Sequence, residues 1–144
     1  MAALSEVRRV LKPGGQLFAA AISRWASALD GLSRDLLQDP RFAAIVEQDL
    51  RDGQHRNLTE RLDYFTTAYF HPPDELRAEV SGAGLILDGL YGVEGPGWLL
   101  SDVTARLADP RRRADLLQVA RLFESEPSVL GVSAHLLVVA RTPA

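Results

Sequence analysis

Aromatic residues and a histidine are concentrated in three short stretches that could form a binding site. These stretches are Ser23-Arg24-Trp25, the run YFTTAYFH that ends at His71, and the turn that carries Trp98. Histidine titrates near neutral pH, so His71 is a candidate general base for an acceptor hydroxyl. The guanidinium of Arg24 could pair with an acidic acceptor. The candidate substrate-binding residues are Ser23, Arg24, Trp25, Tyr64, Tyr69, Phe70 and Trp98.

Each of these residues also has a structural interpretation, and the sequence leaves both open. His71 stands at a helix start and could bond the backbone there instead of serving as a base. Arg24 could have a surface or structural role. Trp25 and Trp98 could pack in the core or at its rim. His135 lies in an apolar run and is predicted to be a core or edge residue without a catalytic role.

The elements around these stretches should bring them to one side of a sheet. The apolar run 16–22 follows a Pro-Gly-Gly helix stop and predicts a strand covered on both faces. A second strand is predicted over 85–93, and Pro72-Pro73 followed by two acids predicts a helix start. Ligands of open α/β sheets lie beyond the carboxyl ends of the strands. The three stretches are therefore predicted to form an aromatic pocket for a flat or apolar small molecule.

The remaining pattern completes an α/β arrangement. Residues 27–50 predict two helical pieces that break near Asp39-Pro40, and the polar stretch 51–63 predicts an exposed loop. Another helix is predicted from Asp109-Pro110, and a last strand over 134–141. The whole chain, residues 1–144, is predicted to form one domain.

Composition excludes several classes of function. The formal net charge of −3 and the pI of about 5.6 argue against a nucleic-acid binder. The absence of cysteine excludes disulfides and thiolate ligands, and three widely separated histidines argue against a metal site. No apolar run is long enough to span a membrane, and the first residues do not form a signal peptide. We therefore expect a soluble, cytoplasmic protein.

Three sequence blocks resemble the second half of the class I S-adenosylmethionine-dependent methyltransferases. The blocks are LSEVRRVLKPGGQLFAAAIS, HPPDELRAEVSGAGLILDGLYGVEGPG and SAHLLVVART. In that family the R-V-L-K-P-G-G block leads into the fifth strand, and the closing strand runs antiparallel between the fifth and sixth strands. The resemblance implies a partial Rossmann-like sheet of about three strands, the last antiparallel, with residues 24–63 as a helical and loop insertion.

The resemblance also implies that the part of the fold that holds the methyl donor is missing. The family binds S-adenosylmethionine mainly through a Gly-rich turn after its first strand and an acid after its second. Gly82-Ala83-Gly84 ends a helix, and Gly95-Pro96-Gly97 lacks one donor N–H because of its proline. No residue is therefore assigned to cofactor or metal binding, and we expect no donor to be bound by this chain alone.

The resemblance leaves several functions open. The chain could be the acceptor-binding half of a small-molecule methyltransferase, as a truncated product, a product of a misassigned start codon, or one partner of a split enzyme. It could instead be a non-catalytic remnant that binds a small molecule or a partner. The strand at 16–22 would lack its neighbour in the sheet, so we expect a homodimer, a separate donor-binding half, or poor solubility.

Overall fold

The computed structural model describes residues 2–144 and is an α/β fold with a mixed five-stranded sheet. The helices are α1 (Ala2–Val10), α2 (Ala26–Ser33), α3 (Pro40–Asp52), α4 (Pro73–Gly82), α5 (Val103–Ala108) and α6 (Pro110–Phe123), and the strands are β1 (Gln16–Ser23), β2 (Gln54–His55), β3 (Ala68–His71), β4 (Ile86–Gly92) and β5 (His135–Arg141). Among the described residues, no helix combines the length and the apolar character that crossing a membrane requires.

The strand order is β2-β3-β1-β5-β4. Strand β5 pairs antiparallel with β1 on one side and with β4 on the other, so β1 and β4 run in the same direction. The predicted α/β class and the antiparallel last strand agree with this sheet. The expected number of about three strands was too low, because two short strands, β2 and β3, extend the sheet beyond β1.

The prediction of an exposed loop over 51–63 was wrong at its start. Helix α3 ends at Asp52, Gly53 turns the chain with a φ of 75°, and the next two residues form β2 against β3. His55 in that strand is only 1% exposed. The stretch is polar in composition, but the polar atoms of His55 are bonded inside the protein, so hydrophilicity did not indicate exposure here.

The main core lies on one face of the sheet. Alternate residues of β5, Leu136, Val138 and Ala140, are buried there against Leu76 and Val80 of α4. Pro72 and Pro73 specify the start of α4. Leu76 and Val80 are four residues apart, so they lie on the same side of the helix and pack on this face of the sheet. This packing fixes the direction of β1 and β5, whose ends form the rim of the site described below.

A second, smaller core lies within the segment 24–63 and the turn that follows it. Phe42, Ile45 and Val46 of α3 pack with Tyr64, whose ring centroid is 4.9 Å from that of Phe42. Asp39 begins α3 by accepting a hydrogen bond from the main-chain N–H of Arg41 at 2.9 Å. This part of the chain therefore has packing contacts of its own beside the sheet.

The opposite face of the sheet is largely uncovered. Phe18 is 64% exposed on β1 and Ile86 is 41% exposed on β4. The edge of β1 that faces away from β5 is also open along most of its length. On that edge β3 pairs only with Ile22 and Ser23, and no strand within residues 2–144 pairs with the earlier residues of β1. The main-chain groups of Gly15 and Ser23 bond to residues at the two ends of β5. Because the N–H and C=O groups of successive strand residues point to alternate sides, those of Phe18 and Ala20 point to the open edge.

Candidate functional site

A cavity of about 400 Å³ lies at the carboxyl ends of β1 and β3. Its wall is mostly apolar and aromatic, and residues of α2, the Leu62–Tyr64 turn and the start of β5 contribute to it. The lining consists of Ile22, Ala26, Ser27, Asp30, Arg34, Phe42, His55, Leu62, Asp63, Tyr64, Phe65, Phe70, Trp98, Ala134 and His135. The volume is in the range of small-molecule sites.

Three of the predicted substrate-binding residues, Tyr64, Phe70 and Trp98, line this cavity. Each is held by a specific contact. The hydroxyl of Tyr64 donates to Asp39 at 2.7 Å, and the indole N–H of Trp98 donates to the carbonyl of Val132 at 2.9 Å. The ring of Phe70 stacks on His55, with centroids 4.8 Å apart and planes 7° apart.

The aromatic side chains of β3 are divided between the two faces of the sheet. Ile22 pairs with Phe70 and Ser23 pairs with His71, so neighbouring residues of β3 point to opposite sides. Phe70 lines the aromatic cavity, whereas Tyr69 and His71 line a separate groove on the α4 side. The expected convergence of all three on one side does not occur.

His71, the candidate general base, lies in that separate groove beside α4. Its Nε2 is 3.6 Å from a carboxylate oxygen of Glu79, and its ring meets that of Tyr69 edge-on at 4.7 Å. Its Nδ1 is buried without a hydrogen-bond partner among residues 2–144. The sheet lies between His71 and the aromatic cavity, so His71 is not positioned to take a proton from a ligand bound there.

Arg24 joins β3 to α4 and does not line the cavity. Its Nε donates to the carbonyl of Phe70 at 2.8 Å, and its NH2 is 2.9 Å from Glu75. Tyr69 donates its hydroxyl to the same carboxylate, and this hydrogen bond, with burial, raises the pKa of Tyr69. The guanidinium is therefore already paired within the protein.

Ser23 and Trp25 pack against the turn before β5. Ser23 is fully buried, and its hydroxyl donates to the carbonyl of Gly131 at 3.0 Å. The Trp25 ring covers the same glycine so closely that a Cβ there would lie 2.5 Å from it. Trp25 also lines a groove with Pro72 and Pro127, away from the aromatic cavity. Both residues therefore contact the turn before β5 and do not line the aromatic cavity.

The sequence patterns did not indicate His55, which is a buried titratable group of the cavity wall. Its Nδ1 lies 2.8 Å from Asp49, and its Nε2 lies 2.9 Å from the carbonyl of Tyr64. Burial acts to lower the pKa of His55, but the hydrogen bonds to Asp49 and to the Tyr64 carbonyl, with the charge of Asp49, raise it above 6.5 overall. Both neighbours are acceptors, so the doubly protonated ring satisfies both.

The contact between Asp49 and His55 joins two elements of the segment 24–63 beside the cavity. It connects α3 to β2, while the Tyr64 carbonyl connects β2 to the turn that lines the cavity. The only sequence sign of this pair is an acid and a histidine on either side of the Gly53 turn. That sign is weak without knowledge of the turn geometry.

The arrangement is suited to binding a planar apolar molecule. Aromatic rings form much of the cavity wall, and the charged residues at its rim are paired with one another or with neighbours, as in the Arg34–Asp30 contact at 2.9 Å. Residues 2–144 contain no group of three potential ligands that could hold a metal ion.

No protein-family model matches this chain, and no curated protein matches it.

Proposed function

We propose that this chain is the acceptor-binding half of a class I S-adenosylmethionine-dependent methyltransferase with a Rossmann-like sheet. The observation that carries the proposal is the position of β5, antiparallel between β1 and β4. The resemblance of the R-V-L-K-P-G-G block and the closing strand implies this order. In support, β1 follows that block directly.

The acceptor is proposed to bind in the aromatic cavity. The cavity lies where open α/β sheets bind their ligands, at the carboxyl ends of β1 and β3. Tyr64, Phe70 and Trp98 would hold a flat ring and exclude water from it. The donor supplies an activated methyl group when bound, so the contribution of this chain is to position the acceptor and shield it.

The residues of this chain do not fit the methyl donor. Gly82 and Gly84 lie at the end of α4, where carbonyls and not N–H groups are unpaired. The N–H of Gly95, in the other glycine-rich turn, is already bonded to the Ser133 hydroxyl at 2.9 Å. We therefore assign the donor to a separate half of the enzyme and derive no step through it.

Methyl transfer by the assembled enzyme is the direct test. The chain is co-expressed with the donor-binding half of a class I methyltransferase and incubated with tritiated S-adenosylmethionine and a small-molecule extract. We expect label in the small-molecule fraction, and its loss in a Phe70→Ala variant, because Phe70 forms part of the cavity wall. Leu122→Ala, on the exposed face of α6, is the matched control. An assembled, folded pair that transfers no label would contradict the proposal.

A second candidate is a non-catalytic small-molecule binding module. It is favoured by two observations: both ring nitrogens of His55, the buried histidine of the cavity, are engaged, and His71 lies across the sheet. Binding of aromatic molecules without transfer in the co-expressed pair would support this candidate over the first.

The open edge of β1 is proposed to meet a partner, either a donor-binding half or a second copy. The strand has no charged residue to prevent pairing with another edge.

We expect the isolated chain to self-associate in sedimentation experiments, and Phe18→Lys to reduce the association because it places a charge beside the edge. Leu122→Lys, on helix α6 and outside the sheet, should have no effect, although Leu122 is 69% exposed and Phe18 is 64% exposed. A wild-type chain that stays monomeric and soluble at high concentration would argue against this surface.

A further inference from the structure

Ser27 carries a buried hydroxyl without a partner in the wall of the aromatic cavity. The residue is 6% exposed and lines the cavity, and its Oγ has no hydrogen-bond partner within residues 2–144. Buried hydroxyls in folded proteins are normally bonded, because losing water without a replacement costs free energy. A ligand in the cavity could provide the missing bond.

The local structure of α2 does not satisfy this hydroxyl. A serine in a helix commonly bonds a carbonyl one turn earlier. Ser33, on the same helix, does so with the carbonyl of Asp30 at 3.0 Å. Ser27 makes no such bond, and the helix places it on the side that faces the cavity.

The other polar side chains of the cavity wall that are buried or half-buried are already engaged. His55 uses both ring nitrogens, Tyr64 donates to Asp39, and Trp98 donates to a main-chain carbonyl. The ionisable groups nearer the rim are also paired, and these pairs are Asp30–Arg34, Asp63–Arg61 and His135–Glu94. Ser27 is therefore the buried side chain of this wall that is free to bond a ligand.

We infer that Ser27 anchors an aromatic ligand of one or two fused rings that carries one hydrogen-bonding oxygen. The cavity of about 400 Å³ has room for such a ligand, and its aromatic wall favours a planar ring. A serine hydroxyl can donate or accept, so a phenol-type hydroxyl and a ring carbonyl both fit. The inference rests on the proposed function in so far as this ligand would be the methyl acceptor.

Calorimetric titration with 1-naphthol and naphthalene tests the anchor. The two compounds share their rings and differ in one hydroxyl. We expect the wild-type chain to bind 1-naphthol more tightly, and Ser27→Ala to weaken 1-naphthol binding roughly 3- to 10-fold. Naphthalene binding should not weaken, because it makes no bond to Ser27. Ser33→Ala is the control on the same helix and should leave both affinities unchanged.

Three results would overturn the inference. If Ser27→Ala weakens the binding of 1-naphthol and of naphthalene equally, the substitution has changed the shape of the cavity. If the wild-type chain binds the two compounds with equal affinity, Ser27 is not an anchor. If neither compound binds, the cavity is not a ligand site. Thermal unfolding of Ser27→Ala establishes that the variant is folded. The methyl-transfer assay is independent of these titrations, so a failed transfer with the expected binding pattern would contradict only the proposed enzyme.

Discussion

Leu136→Ala should lower the free energy of unfolding by about 2 to 5 kcal/mol. Leu136 is fully buried in β5, the strand that pairs with both β1 and β4. Removing its side chain leaves a cavity between the sheet and α4, in the main core of the protein. Urea denaturation followed by circular dichroism measures the change.

The matched control for this substitution is Leu122→Ala. Leu122 is 69% exposed on α6, so its truncation creates no cavity and should change the free energy of unfolding by less than about 0.5 kcal/mol. Equal effects of the two substitutions would mean that the β5 face is not the core of the protein.

Asp49→Ala should lower the free energy of unfolding by about 3 kcal/mol near pH 6. Asp49 is fully buried, and its loss leaves the His55 ring without the acceptor that stabilises its charged form. The pKa of His55 is raised in the folded protein, so its stabilising contribution is complete below pH 6.5 and is lost as the pH rises through the folded-state value. Urea denaturation at several pH values between 6 and 9 measures both effects.

The pH dependence separates this pair from ordinary packing. The wild-type protein should lose stability as the pH rises above 6.5, and Asp49→Ala should lose less over the same rise because the raised pKa of His55 depends in part on Asp49. Glu47→Ala, an exposed substitution on the same helix, should keep the wild-type profile. Parallel profiles for wild type and Asp49→Ala would show that His55 does not titrate in this way.

The sequence predicted the larger elements because local signals specify them. Pro72 and Pro73 fix the start of α4, Gly14 and Gly15 separate α1 from β1, and the apolar run of β5 specifies a strand. The break between α2 and α3 near Pro40 also followed from the sequence. The order β1-β5-β4 came from the resemblance, since short-range patterns do not specify which strands are neighbours.

Half of the candidate site could not be predicted, because it depends on two short strands formed by tertiary pairing. The sequence pattern predicts only an approach to α4 over the segment that contains β3, and it indicates no alternation of Tyr69, Phe70 and His71. In a strand they must point to alternate faces, which takes His71 away from the cavity. Likewise, His55 in β2 is bonded to Asp49 before the Gly53 turn and to the carbonyl of Tyr64 after the following loop, and the sequence does not specify how the chain folds back to make these contacts.

The central position of β5 has a consequence for the order in which the protein can fold. It follows the other four strands in the sequence, yet it occupies the place between β1 and β4. Until residues 135–141 have been synthesised, β1 and β4 have no shared neighbour, and the pairing of Gln16 with Arg141 closes a loop of more than a hundred residues. We therefore expect slow, late sheet formation that is completed after synthesis of β5, with β1 exposed to non-native pairing in the interval.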